Sequence, residues 1–254
     1  MKSYRFFSVT LFALGLLSSG VCFTGCDIQK WEPLFNGENL EGWKVICVPA
    51  DIGKEYWTVK DGYIEANSMG DPDHSYIWLA FEKEYTDFHL KLEFQAFKSS
   101  PGNSGMQFRS RFDDSDTARN GGWMNGPQVD IHPPNPMRAG LIYDETENVR
   151  RWIYPSLPDS RIVAEQAPES ALRTSLVYHE DDSESWNEME IICEGMNVTT
   201  IVNGNTVALF DGEGILNDDL HKVRGSGERG YFALQLHVKD ELQIRYKDIL
   251  LKEL

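Results

Sequence analysis

Alternation of apolar and polar residues with a period of two dominates the chain beyond residue 30. Phe88–Phe97 shows it most plainly. Phe88, Leu90, Leu92 and Phe94 fall on one face, and His89, Lys91, Glu93 and Gln95 on the other. A half-buried strand needs this pattern, because successive side chains leave it on opposite sides. Tyr56–Glu65 reads as two short alternating runs around Asp61-Gly62, and Asn203-Gly204 separates two more. Both dipeptides suit the positive φ values of a type I′ hairpin turn. Met106–Arg111, Val129–His132, Leu141–Tyr143, Glu188–Cys193, Val198–Val202, Tyr231–Val238 and Leu242–Leu251 repeat the alternation. Helical patterning is scarce: Pro168–Leu172 and Ile215–Leu220 each predict one or two turns. Two polar stretches, Asp113–Gly126 and Glu145–Ser185, read as loops, the second of a length common in segments that cover a site. Many short strands between turn signals predict an all-β domain, a sandwich or jelly roll of two antiparallel sheets.

Parity along three of these strands points polar groups one way. Gln107, Arg109 and Arg111 share a face opposite Met106 and Phe108. Gln128, Asp130 and His132 share a face opposite Val129 and Ile131, and Gln235 and His237 lie opposite Leu234 and Leu236. The plain alternative is the wet side of an antiparallel sheet. Wet faces carry Lys, Glu, Thr and Ser, however, whereas these carry Gln, Arg, Asp and His. Such a mixture suits a concave site that holds a polar, uncharged ligand by many directed hydrogen bonds. Trp123, Trp152 and Tyr154 lie in the intervening stretches, where an aromatic face can stack on a sugar ring or pack back on the sandwich. Tyr143-Asp144-Glu145 adds a phenol and two carboxylates at a rim. His132, directly before Pro133-Pro134, reads as a rim residue.

The start of the chain changes the picture of where the protein works. Lys2 and Arg5 precede an apolar run, Phe6 to Leu17, that is too short to span a membrane, and small residues follow. Phe23-Thr24-Gly25-Cys26 then resembles a bacterial lipobox. Residues 1–25 therefore read as an export signal, with lipid on Cys26 as the only membrane attachment, and residues 30–254 as one domain. Localisation follows: exported to the bacterial cell envelope, on the periplasmic or outer-membrane surface. The formal net charge of −16 becomes more negative once Lys2 and Arg5 are removed. Such a surface repels phosphate backbones, which excludes nucleic acid as a partner. Cys47 and Cys193 remain for a disulfide or as buried thiols. The sequence leaves the oligomeric state open.

At these residues the chain resembles a known family, the 3-keto-disaccharide hydrolase domain family. The likeness runs from Leu34-Phe35-Asn36-Gly37 and Trp57-Thr58-Val59-Lys60-Asp61-Gly62 through Asn103-Ser104-Gly105-Met106-Gln107-Phe108-Arg109. It continues through Gly126-Pro127-Gln128-Val129-Asp130 and Gly140-Leu141-Ile142-Tyr143-Asp144-Glu145 to Ala233-Leu234-Gln235-Leu236-His237. Each motif is short; their order over the chain makes the match specific. Many members have Gly-aromatic-Glu-x-Gln where this chain has Gly-Pro-Gln-x-Asp, and this chain is similar to a subgroup with Gln-x-Asp and a Tyr-Asp-Glu turn.

The resemblance implies a concanavalin A-like jelly roll acting on 3-keto glycosides. A ketone at C3 acidifies the C2 hydrogen. A base removes it, the enediolate expels the C1 substituent, and water can add back. The chemistry needs a base, an oxyanion stabiliser and an acid for the leaving group. His237 or Asp130 is the expected base and Arg109 the expected oxyanion stabiliser, with Gln107 beside it. Tyr143 or Glu145 would serve as acid or hold the sugar. Gln128 and Gln235 would bind hydroxyls, and Trp123 would stack on the ring. Asp130, Glu145 and His237 could instead hold a divalent metal that polarises the ketone; no other cofactor is implied. The alternative is a non-catalytic, lectin-like carbohydrate-binding surface lipoprotein.

Overall fold

The computed structural model describes residues 30–254 except 101, 116–117, 133–137, 173–177 and 180–183. Residues 1–25, read as an export signal, Cys26 and Pro133-Pro134 lie outside the described residues. The alternating run Phe88–Phe97 forms a ten-residue strand at the middle of a nine-stranded sheet. Asn187–Glu194 pairs with it on one side and Gln243–Glu253 on the other, both antiparallel. The two Gly-containing dipeptides turn as expected: Asp61 and Gly62 have φ of 48° and 83°, Asn203 and Gly204 of 49° and 74°. They close the hairpins Trp57–Lys60/Tyr63–Asn67 and Asn197–Val202/Asn205–Asp211 at opposite ends of this sheet.

The second sheet has eight strands. Its order is Arg151–Tyr154, Ile142–Asp144, Pro127–Ile131, Ser104–Asp113, Tyr231–Leu236, Ile77–Phe81 and Trp43–Cys47, with Trp123–Asn125 added beside Ser104–Asp113. Apart from the short parallel pairing of Tyr178–His179 with Ala96 and Phe97, the pairings are antiparallel. The inner faces meet in one core. Phe88, Leu90, Leu92 and Phe94 belong to the same buried cluster as Met106, Phe108, Val129, Ile131, Leu234 and Leu236. Each such side chain contributes about 1.5–3 kcal/mol by leaving water. The result is the expected all-β, jelly-roll-like sandwich of two antiparallel sheets.

Two elements differ from the pattern read in the sequence. The stretch Asp113–Gly126 is not simply a loop. Trp123–Asn125 pairs back on Arg111, Phe112 and Asp113 as a hairpin. It lies over the outer face of the eight-stranded sheet, where Trp123, Met124 and Phe112 pack on Tyr76, Trp78 and Ala233 in a second apolar cluster. The helical turn expected over Ile215–Leu220 falls at Asp219–Arg224, because Asp218 supplies the N-cap by accepting from the His221 N–H and Gly225 closes the helix at φ 66°. Cys47 and Cys193 are free thiols. No described helix is long and apolar enough to cross a membrane.

Arg109 requires the clearest correction. Tyr231 pairs with Ser110 and Ala233 with Gln107, so one extra residue is accommodated between them, and Arg109 takes a φ of 47°. This bulge breaks the parity beyond Gln107. Arg109 turns to the interior with none of its surface exposed. Its Nε donates to the Thr86 carbonyl at 2.7 Å, Nη1 to the Gly227 carbonyl at 3.4 Å, and Nη2 lies 3.0 Å from Asp87. Arg109 is a structural tie and not a group of the site. Arg109→Met should therefore lower unfolding free energy by about 2–4 kcal/mol, the cost of stranding the Thr86 and Gly227 carbonyls and of losing the pair with Asp87. Urea denaturation measures the loss.

Candidate active site

Strand register assembles a pocket on the outer face of the eight-stranded sheet. Gln128 faces Tyr143, and Tyr143 faces Trp152, across three neighbouring strands. Asp130 lies two residues from Gln128 and so shares its face; Gly105 stands opposite Asp130. A Cβ on Gly105 would lie 2.6 Å from Gln128 Cδ, so glycine leaves the room in which Gln128 lies flat. Past the end of its strand, His237 continues the face of Gln235 and meets Tyr76, which precedes Ile77–Phe81. These residues, with Asn103, Arg138, Glu145, Arg150 and Ser160, enclose about 220 Å³. That is below the range for drug-sized ligands and suits one small polar ring.

Two carboxyls are buried in this pocket, each facing an arginine that does not reach hydrogen-bond distance. Arg138 Nε lies 4.0 Å from Asp130 Oδ2, and Arg150 Nε lies 3.6 Å from Glu145 Oε2. Burial pushes the Asp130 carboxyl up to about 7, the Arg138 charge only partly opposing it. Burial likewise raises Glu145, against the pull of Arg150 and His237. Loss of hydration disfavours the charged form unless hydrogen bonds replace it, and here they do so incompletely. Alongside them runs a chain of three groups. His237 Nδ1 is 3.4 Å from Asp240 Oδ2, and His237 Nε2 is 3.0 Å from the Tyr76 hydroxyl. Burial would raise Asp240, yet His237 and the Asn103 N–H, which donates at 2.7 Å, leave it below its usual value. Burial raises the Tyr76 phenol, which therefore stays protonated at neutral pH.

The pocket wall offers unused hydrogen-bonding capacity of both kinds. Gln128 Oε1, Asn103 Oδ1, Asp130 Oδ2 and Glu145 Oε2 accept from nothing among the described residues, and Arg138 Nε and Arg150 Nε donate to nothing. Buried orphans of this kind are rare in native proteins and mark a missing partner. A sugar hydroxyl both donates and accepts, so it matches either kind. Among the described residues no group of three or more His, Cys, Asp or Glu is arranged to hold a metal, and Asp130 and Glu145 each already face a guanidinium.

Of the residues expected from sequence, Asp130, His237, Gln128, Tyr143 and Glu145 line the pocket together. Besides Arg109, three others do not. Gln107 is fully buried beneath the hairpin, its amide donating to the Met124 carbonyl at 3.3 Å. Gln235 is fully buried beside Glu145, whose carboxyl its amide helps to hold down against burial. Trp123 is 2 % exposed and cannot offer its face to a sugar. Its ring is held between Arg119 and Arg150, at 5.0 and 5.2 Å, and its indole N–H donates to the Glu145 carbonyl at 2.6 Å. Conversely, Tyr76, Arg138, Arg150 and Asp240 belong to the site without having been read as such. Tyr76 precedes a continuous apolar run that gives no parity, and the others sit on turns. His132, read as a rim residue, contacts Arg138 through its Nδ1.

Fold and site together define a jelly-roll-like sandwich with a sugar-sized, acid-rich pocket. Residues 30–252 match the family described as the 3-keto-alpha-glucoside-1,2-lyase-like domain, and the chain belongs to that family. Two solved structures from Parabacteroides distasonis ATCC 8503, both described as candidate glycosyl hydrolases, share the fold. One is 18 % identical, covering 88 % of this chain and 94 % of its own, with a TM-score of 0.51. The other is 20 % identical, covering 89 % and 100 %, with a TM-score of 0.52. A search of curated proteins found no match.

The raised Asp130 has a thermodynamic consequence. With a folded value of about 7 and an unfolded value of about 3.9, its contribution to stability is complete below pH 4. It is lost as pH rises through 7. Relative to Asp130→Asn, the wild-type protein should lose on the order of 4 kcal/mol between pH 4 and pH 8. Paired urea titrations across that range give the difference; parallel curves would mean that Asp130 is ionised throughout.

Proposed function

We propose that the pocket cleaves glycosides whose ring carries a ketone at C3, by C2 proton removal and expulsion of the C1 substituent. The observation that carries this reading is the buried Asp130 carboxyl, poised near neutrality in the same pocket as Glu145 and the Tyr76–His237–Asp240 chain. A base is most effective when its pKa lies near the working pH. Asp130 takes the C2 proton. The electron pair becomes the enediolate, whose C3 oxygen is met by the Tyr76 hydroxyl, backed by His237, and by the positive charge of Arg138 and Arg150. Those arginines take the role expected of Arg109. The pair then forms the C1–C2 double bond as the C1–O bond breaks, and Glu145, whose pKa burial raises, gives its proton to the departing oxygen. Addition of water across the double bond would complete net hydrolysis. Family membership supports the substrate class; the pocket residues support the acid–base roles.

The test is aglycone release from 3-keto glucosides bearing a chromogenic leaving group, with and without chelator. Release should rise with pH through about 7 and fall by about 10²–10⁴-fold in Asp130→Asn, the usual worth of a general base. Tyr76→Phe should retain binding with reduced turnover. Undiminished release in both Asp130→Asn and His237→Ala would remove these roles while keeping the activity. Sugar-dependent melting shifts without release from several such glucosides would favour the lectin-like reading, and loss of release with chelator would restore a metal.

We also propose that the protein is exported and lipid-anchored at Cys26, on the basic–apolar–small leader that precedes it. In a bacterial host, Cys26→Ala should move the protein from the detergent phase to the aqueous phase of a partition assay. Unchanged partition would rule out the anchor.

A further inference from the structure

Glu145 follows the last residue of the strand Ile142–Asp144, so the sheet ladder alone does not fix it. A proton donor displaced by about 1 Å loses on the order of 10²-fold in rate. The groups around Glu145 show what holds it. Its N–H donates to the Gly126 carbonyl at 3.0 Å, and its carbonyl accepts from Trp123. On one side, Asp144 is fully buried. One of its oxygens accepts from the Thr146 N–H at 3.0 Å, and the other lies 3.2 Å from His221 Nε2. His221 is 1 % exposed and its Nδ1 is hydrogen-bonded to Asp218 at 2.9 Å, so the imidazole lies between two carboxylates, with Asp144 at ion-pair distance outside hydrogen-bond geometry. That pairing raises its pKa in spite of burial. On the other side, Arg224 pairs with Glu147 and, at 2.8 Å, with Asp113, the residue that faces Trp123 across the hairpin. His221 and Arg224 belong to the same short helix, Asp219–Arg224.

We infer that this helix is the buttress of the pocket's acid, and that His221 and Arg224 are positioning residues for Glu145. The inference rests on the proposed role of Glu145. One helix ties residues 144 and 147, on either side of Glu145, and ties the hairpin whose Trp123 holds the Glu145 carbonyl. Neither His221 nor Arg224 lines the pocket, so both act through Glu145. A buried Asp–His pair is a poor source of stability, since apolar residues of similar volume would hold this end of the sandwich as well. What the pair does supply is a fixed register between helix and turn, which apolar packing specifies less sharply.

The test uses His221→Gln, Arg224→Gln and, as control, Val223→Ser, a position on the same helix that is 82 % exposed. The first readout is hydrogen exchange of the Trp123 indole N–H in protein labelled with ¹⁵N-tryptophan, the signal being assigned with Trp123→Phe. Exchange should quicken by about tenfold or more in His221→Gln and Arg224→Gln, because the bond to Glu145 opens more often, and should be unchanged in Val223→Ser. The second readout is aglycone release, where kcat should fall by about tenfold with KM changed far less, as expected when an interaction specific to the transition state weakens. Unaltered Trp123 exchange in both glutamine variants would overturn the inference. If His221→Gln does not fold, Arg224→Gln, altered at a half-buried group, decides alone. If the wild-type protein releases no aglycone, the reading of the pocket fails, yet the indole exchange still decides whether the helix holds the turn.

Discussion

The indole N–H of Trp123 donates to the carbonyl of Glu145 at 2.6 Å, and in doing so pins a hairpin across a sheet face that would otherwise be wet. The state of the site depends on that cover. Beneath it Gln107 and Gln235 are dry and Trp78 is wholly buried. Beside it the carboxyls of Asp130 and Glu145 lose the water that would keep them ionised. An antiparallel sheet normally spends one face on the core and leaves the other to solvent. Here the second face is divided into an apolar part under the hairpin and a polar pocket at its margin.

That division explains how much of the molecule was legible in the sequence. Alternation in Phe88–Phe97 and the Asp61-Gly62 and Asn203-Gly204 turns depend on local rules, and the structure keeps them. The faces of Gln128 with Asp130 and of Gln235 with His237 were likewise legible, because parity holds wherever the strand is regular. It failed at Arg109 because one inserted residue reverses every later side chain, and a bulge has no dependable signature in a single sequence. Trp123 was legible as an aromatic in a polar stretch, but whether such a ring faces a ligand or roofs a pocket is decided by its partners. Tyr76, Arg138, Arg150 and Asp240 come from a strand end and from turns, whose positions tertiary contacts set.

The arginines show why distance matters as much as identity. A guanidinium bonded in fork geometry to a carboxylate stabilises its charged form and would hold it well below neutrality. At 3.6 and 4.0 Å, Arg150 and Arg138 oppose burial without overcoming it, so both acids stay able to exchange a proton. The same spacing leaves their Nε–H groups unspent. Contrast Glu65, where Arg245 donates at 2.8 Å and the carboxyl falls below its usual value in spite of burial. One fold thus contains the same pair of residue types in two electrostatic roles, separated by about an ångström.

On the proposed chemistry, this arrangement fits the way charge moves. In the resting pocket the positive arginines face acids whose pKa values burial has raised. When the C2 proton leaves, the negative charge that forms on the sugar finds guanidiniums already in place. Preorganisation of that kind is only as good as the framework that enforces it. The arginine stacked on Trp123, the acid whose backbone Trp123 holds, and the helix that ties both flanks of that acid are parts of one framework. A change in the buried helix contacts would therefore reach the proton donor by a short and physically continuous route. A change on the exposed side of the same helix has no such route, and the site should not register it.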